Sequence, residues 1–292
     1  MSKLDLKQFK SILKAALTED IKKHDLTSKV IVPKDLKIRA QIVLKESGVI
    51  AGLEVAKQVF KIRNKNIKFI PKVKDGTFIK ISTKRRKRII AKIQGNARNI
   101  LEAERSALNF LSHLSGIATL TNQFVKRVKG YNVKITDTRK TTPNLRYLEK
   151  YAVRAGGGYN HRKGLYDRIL IKDNHIETVR KSPAECVLIA KRKTKKLIEV
   201  EVKKISQFRD TLSVGADTIM LDNMSLDDIK KAIKIKKDYL RKNKNKKAPQ
   251  IEVSGNVKLS NVRKIAGCAV DFISIGALTH SNPSLDMTLK VK

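Results

Sequence analysis

The residues with chemical potential in this chain fall at the ends of short apolar runs. NVKITD at 132–137 leads into Asp137, Arg139 and Lys140 of DTRKTT. RILIKD (168–173) delivers Lys172, LIEVEV (197–202) Glu201, DTIMLD (217–222) Asp222, QIEVSG (250–255) Ser254, and DFISIG (271–276) Gly276. A guanidinium fork suits a carboxylate or phosphate, and an ammonium supplies a point charge. Side chains alternate along a strand, so Glu199 and Glu201 share one face of LIEVEV, Arg168 and Lys172 share a face, and so do Glu252 and Ser254. Burying such groups alone is expensive, and a ligand or metal that pairs with them removes the cost. The stretch GGGYNHRKGLYDRILIKDNHI (156–176) adds three glycines that permit close ligand approach, followed by His161 and Arg162. His161, beside Arg162, reads as a ligand contact. His175 reads as a helix-capping or packing residue, since no zinc-type spacing surrounds it.

The elements that must position these residues alternate. Between the runs lie helical patterns at 145–156, 205–216 and 225–240, which together predict a parallel sheet with crossover helices. Six strands without a nucleotide-binding glycine fingerprint favour a barrel, whose C-terminal strand ends build the active site. The first part of the chain reads differently. A helix is expected at about 5–18, strand-like runs at 38–52, 68–73 and 88–95, and a helix at 53–62. A long helix is expected over 97–116, with Ile100, Leu101, Ala107, Leu108 and Leu111 recurring at helical spacing and Gly116 as its stop.

The 292 residues suffice for one large α/β domain and a smaller one. Cys186 and Cys268 lack paired or metal-ligand spacing, as expected of thiols in a reducing cytosol. No apolar run approaches the length of a membrane span, and the opening MSKLDLKQFK has no signal-peptide apolar core, so a cytoplasmic protein without a membrane partner is expected. The net charge is +38, mostly lysine spread over many segments, with the densest stretches at 84–88, 191–196 and 230–247. Such a field attracts polyanions. Aromatic residues are only 5% and Trp is absent, and no nucleic-acid-binding motif is present, so the excess reads as a solvated lysine-rich surface without a specific nucleic-acid partner.

GNARNILEAERSALNFLSHLSGIAT (95–119), DTRKTTPNLRYLEKYAVRAGGGYNHRKGLYDRILIKDNHI (137–176), EVEV, MLDN, EVSGN and SIGALTHS together resemble the quinolinate phosphoribosyltransferases, in order and over nearly the whole chain. The resemblance implies an α/β fold with an N-terminal α/β sandwich domain (1–112, to which the tail 279–292 returns) and an open seven-stranded α/β barrel (113–278). It implies that quinolinate and phosphoribosyl pyrophosphate give nicotinate mononucleotide, pyrophosphate and CO2 with Mg²⁺, at sites shared across a homodimer or a higher oligomer. Arg105 then matches the arginine that reaches the partner's site. Arg139, His161, Arg162 and Lys172 match the residues around the quinolinate carboxylates. Lys140 and Lys172 match groups near the ribosyl phosphates, and Thr138 falls among the substrate contacts. Glu201 and Asp222 match the acids by ribose and metal, and Lys140, Lys172, Glu201 and Asp222 are the expected catalytic set. Ser254, Gly255 and Asn256, with Ile275, Gly276 and Ala277, match the phosphate-holding loops, with His280 nearby. The segment EDIKKHDLTS (19–28) departs from the family, with lysines where glycines are common, and its role is expected to lie in folding. The rivals are a phosphoribosyltransferase acting on nicotinate without decarboxylation and, on charge alone, a nucleic-acid-binding protein.

Overall fold

The structure is a computed structural model that describes residues 4–82, 87–244 and 247–292. Most of the basic run at 84–88, and positions 245 and 246 of the run at 230–247, lie outside the described residues. In chain order the first elements are α1 (Lys10–Ile21), α2 (Leu26–Ile31), β1 (Lys37–Leu44), β2 (Gly48–Val49), α3 (Leu53–Arg63), β3 (Lys68–Pro71), β4 (Phe78–Ile79), β5 (Arg88–Asn96) and α4 (Ala97–Arg127). There follow β6 (Lys134–Thr136), α5 (Arg146–Ala155), β7 (Ile169–Ile171), α6 (Asp173–Val179), α7 (Pro183–Lys193), β8 (Ile198–Val202) and α8 (Ile205–Val214). The last are β9 (Thr218–Asp222), α9 (Leu226–Lys242), β10 (Gln250–Ser254), α10 (Val262–Ala266), β11 (Phe272–Ser274), α11 (Ala277–His280) and β12 (Met287–Val291). They fall into two units, one of Met1–Asn122, Lys140–Gly158 and Ala277–Lys292, the other of Gln123–Arg139 and Tyr159–Gly276.

The first unit holds a four-stranded antiparallel sheet in the order β12-β1-β5-β3. Its C-terminal strand β12 lies against β1, with Leu289 opposite Ile42. On α3, Leu53, Ala56 and Phe60 are buried, as are Val55 and Val59, which is the spacing of one helical face, and α3 packs on α1 through this core. The expected N-terminal helix starts later than its apolar pattern. Asp5 caps a short 3₁₀ turn at Leu6–Gln8 first, accepting from the Lys7 N–H. α1 ends at Lys22, which has φ 49°. A lysine therefore sits in the left-handed region where glycine is favoured. Asp25 then caps α2 by accepting from the Ser28 N–H, so this stretch does organise a local fold.

The expected strand at 38–52 divides into β1 and the two-residue β2, which pairs with β4. The stop expected at Gly116 is overturned: α4 continues for 31 residues to Arg127. A Cβ at Gly116 would lie 2.1 Å from the Pro283 carbonyl oxygen. The glycine therefore admits the returning chain against the helix and does not terminate it.

The second unit is the parallel sheet, in the order β6-β11-β10-β9-β8-β7. All six of the predicted runs supply its strands. The order is a cyclic succession, as an open barrel requires. The seventh strand is a single residue: Tyr159 forms a parallel bridge with Thr136, its N–H donating to the Ile135 carbonyl at 2.8 Å. β8 is buried along its whole length, Ile198, Val200 and Val202 alternating with Glu199 and Glu201. On the outside, α7, α8, α9 and α10 follow one another as neighbours. The lysines of α9 are mostly solvated, with exposed pairs such as Lys230–Asp227 and Arg241–Asp238 one turn apart, worth a few tenths of a kcal/mol each. Among the described residues no helix is long and apolar enough to cross a membrane.

Candidate active site

Strand register brings the polar strand ends of the second unit to one level. Thr136 lies opposite Ser274, Ser274 opposite Ser254, and Ser254 opposite Asp222, across four adjacent strands. Thr136 and Ser274 are joined by a 2.6 Å hydroxyl contact. On the far side of the sheet Lys172 follows β7 directly, and its ammonium lies 2.9 Å from Glu201 on β8. Polar side chains in register at the C-terminal edge are the arrangement that barrel enzymes use for chemistry.

The seventh-strand segment turns its side chains into this region. Asp137 is fully buried and accepts from the backbone N–H of His161 at 2.9 Å and from the Asn160 amide. That carboxylate fixes the backbone from which His161 and Arg162 project. Both residues are buried. His161 Nε2 lies 3.2 Å from Glu199 and 3.5 Å from Glu252. Arg168 approaches the other Glu199 oxygen at 3.6 Å. Burial alone would lower the His161 pKa, but the two carboxylates outweigh it and hold the proton up to about 9. Burial, and then the charge of Glu252, push the Glu199 carboxyl up as well. The Arg162 backbone N–H lies 2.8 Å from His161 Nδ1, so the turn and the ring are held together on the side away from the two carboxylates.

Polar atoms here are left incomplete. Glu199 Oε2, Glu252 Oε1 and Arg162 Nε are buried without a hydrogen-bond partner. Burial first, and then the nearby charge of Arg139, pull the Arg162 guanidinium below its usual range. A buried guanidinium with an unfilled donor, within reach of a second positive charge, is able to take an anion. His161, Glu199 and Glu252 also form, among the described residues, a group whose ligand atoms lie within 4.8 Å of one another, able to coordinate a divalent metal.

The two turns beyond the rung are shaped by backbone. Gly255 has φ 92°, and a Cβ there would lie 2.1 Å from Asn223 Oδ1. Asn223 and Asn256 are also left-handed, and Asn256 donates to Asn223 at 3.1 Å. The tight path leaves backbone N–H groups at the end of β10, the kind of concavity that accepts phosphate. At the end of β11 the Ile275 N–H is bound to Thr136, followed by Gly276.

Of the expected residues, Thr138, Arg139, His161, Arg162, Lys172, Glu201, Asp222, Ser254, Gly255, Asn256, Ile275 and Gly276 fall in this unit. Arg105, Lys140, Ala277 and His280 are grouped with the first unit. There Arg105 is exposed on α4, the Lys140 side chain is exposed, and α11 spans Ala277–His280. His175 caps α6 by accepting from the Lys172 N–H at 3.0 Å, as its sequence setting predicts. Glu199, Glu252 and Arg168 were absent from the expected site. Their alternation with Glu201, Ser254 and Lys172 was the signal that marked them.

Two family models cover the chain: the N-terminal domain of quinolinate phosphoribosyl transferase matches residues 25–115, and the C-terminal domain matches 117–290. A probable carboxylating nicotinate-nucleotide pyrophosphorylase of Bacillus subtilis is 40% identical over 97% of this chain and 93% of its own length. Its counterpart in Methanocaldococcus jannaschii is 42% identical, covering 96% of each. The crystal structure of NadC from Streptococcus pyogenes superposes with a TM-score of 0.89 at 39% identity, covering 100% of this chain and 99% of the other. Human nicotinic acid phosphoribosyltransferase, at 11% identity and a TM-score of 0.64, shares the fold alone.

Proposed function

The chain belongs to the quinolinate phosphoribosyltransferase family, and from that membership we propose that it transfers the phosphoribosyl group of phosphoribosyl pyrophosphate to quinolinate with loss of CO2, forming nicotinate mononucleotide and pyrophosphate for NAD biosynthesis. The observation that carries the reading within the site is the buried Arg162 guanidinium, whose Nε has no hydrogen-bond partner and which feels the positive charge of the half-buried Arg139, a pair of cations that an anion would neutralise.

In this reading Arg139, His161, Arg162 and Lys172 hold the two ring carboxylates, with Thr138 beside them. Lys140 and Lys172 face the sugar phosphates. The turns at Ser254–Asn256 and Ile275–Ala277, with His280, take phosphate oxygens on backbone N–H groups. Glu201 and Asp222 supply hard carboxylate oxygens, a donor set that fits Mg²⁺ arriving with phosphoribosyl pyrophosphate better than the nitrogen-containing His161 group does. Bound there, Mg²⁺ would neutralise pyrophosphate charge. As pyrophosphate leaves, C1 of the ribose becomes cation-like, and a carboxylate at Glu201 or Asp222 stabilises it while the pyridine nitrogen attacks. The bond from the ring to the 2-carboxylate then breaks, its electron pair staying on C2 beside the positive ring nitrogen as CO2 departs, and a proton taken up at C2 from solvent completes nicotinate mononucleotide. No side chain forms a covalent bond with the sugar; a trapped enzyme–ribosyl adduct would refute that. We place the reaction in the cytoplasm and in a homodimer, in which the exposed Arg105 of one subunit enters the site of the other.

Purified protein supplied with phosphoribosyl pyrophosphate and either quinolinate or nicotinate tests the reading. CO2 release and nicotinate mononucleotide from quinolinate alone support it, and turnover of nicotinate without quinolinate turnover overturns it.

A further inference from the structure

Three consecutive residues of the turn that carries Lys140 are each held by a side chain. The Thr279 hydroxyl donates to the Lys140 carbonyl at 2.6 Å. Arg146 Nε donates to the Thr141 hydroxyl at 2.9 Å. The backbone N–H of Thr142 donates to Glu149 Oε2 at 3.2 Å. Glu149, on α5, is 0% exposed, and its other oxygen lies 2.9 Å from His113 Nε2 on α4. Withdrawing a carboxylate from water costs several kcal/mol even when it is paired, and replacing such a pair with apolar side chains is often neutral or better. A helix–helix contact therefore has no need of this pair. What Glu149 supplies that an apolar residue cannot is an acceptor for Thr142, two residues beyond Lys140.

We propose that Glu149, held by His113, is a positioning residue for Lys140: it fixes the turn from which the Lys140 ammonium meets the sugar phosphates. The inference rests on the role given to Lys140 above. A lysine is a point charge on a flexible four-carbon stem, so the position of its backbone decides what its ammonium reaches and how much freedom is lost on reaching it. Thr279 acts on the same residue from α11, which links the KTT turn to the segment following the Ile275–Ala277 loop.

A double-mutant cycle tests this, with steady-state KM measured for both substrates. Glu149→Gln keeps the shape but leaves a single acceptor oxygen where Thr142 and His113 now engage two. It is expected to raise KM for phosphoribosyl pyrophosphate about ten-fold and to leave KM for quinolinate within about two-fold. In a Lys140→Ala background the same substitution is expected to add nothing. Multiplicative losses in the double variant, or equal effects on both KM values, overturn the proposal. If Lys140→Ala impairs phosphoribosyl pyrophosphate while Glu149→Gln does not, the positioning role alone fails. If Lys140→Ala itself has no effect, the role of Lys140 fails and the positioning role with it. Should Glu149→Gln not fold, His113→Leu enters the same cycle, with the same outcomes deciding.

Discussion

Two buried histidine–carboxylate groups in this chain are finished differently. In the first unit Glu149 has both oxygens engaged, one by His113 and one by the Thr142 N–H. In the second, His161 faces two acids at once, and Glu199 Oε2, Glu252 Oε1 and Arg162 Nε remain without hydrogen bonds. The His113 side chain is 26% exposed and that of His161 is 7% exposed, so the less complete group is also the drier one. A buried polar group left unfinished costs about 1–3 kcal/mol, and such a cost persists where a ligand completes the group. In the reading proposed above, the contrast separates a pair that holds the backbone from a cluster that substrate would complete.

The largest effect that could break this contrast is on stability against pH. The folded His161 cluster keeps a proton that the unfolded chain gives up near 6.5 and releases it only at about 9. Its contribution is therefore full below about 6.5 and is lost as the pH rises through about 9. At about 1.4 kcal/mol per pH unit the loss is about 3 kcal/mol. Urea unfolding midpoints at intervals across that range should fall accordingly. Glu199→Gln should flatten the dependence and Glu149→Gln should leave it in place; the reverse pattern would break the comparison.

Next is catalysis. Arg162→Ala should lower kcat/KM for quinolinate about 100-fold, about 2.7 kcal/mol in transition-state stabilisation, without lowering the melting temperature, because the arginine has an unsatisfied buried donor in the free protein. A variant that melts early and retains activity would assign Arg162 to the fold instead. The complementary change, His113→Leu, should cost about 2 kcal/mol in urea unfolding by leaving one oxygen of the buried Glu149 carboxylate without its imidazole partner; water reaching the partly exposed His113 position keeps the loss below that of a fully dry pair. KM for quinolinate should not move. The smallest effect lies outside both groups. Lys22→Gly should raise stability by about 1 kcal/mol, since Lys22 occupies a left-handed conformation that glycine adopts without strain. An unchanged urea midpoint would show that this strain is not stored there.

The sequence announced the barrel strands because each is a short apolar run closed by a polar residue, and β6 to β11 fall on those runs. Part of the candidate site was legible too, since alternation along β8 already set Glu199 on the face of Glu201, although only Glu201 was expected to act there. The seventh strand was not legible, for a one-residue bridge at Tyr159 has no periodicity and follows three glycines. Gly116 misled because a helix-ending glycine and a glycine that admits a passing chain look alike without the returning segment at Pro283. The His113–Glu149 pair had no signal at all. Each residue sits in an ordinary helical pattern, and only tertiary folding brings α4 and α5 to hydrogen-bonding distance.

The claim that the unfinished cluster is the substrate site, and the finished pair is not, is tested most directly by calorimetric titration of quinolinate into the wild-type protein, Arg162→Ala and His113→Leu. The account predicts equal affinity for wild type and His113→Leu and about 100-fold weaker binding by Arg162→Ala. Binding that survives Arg162→Ala and is lost with His113→Leu would contradict it.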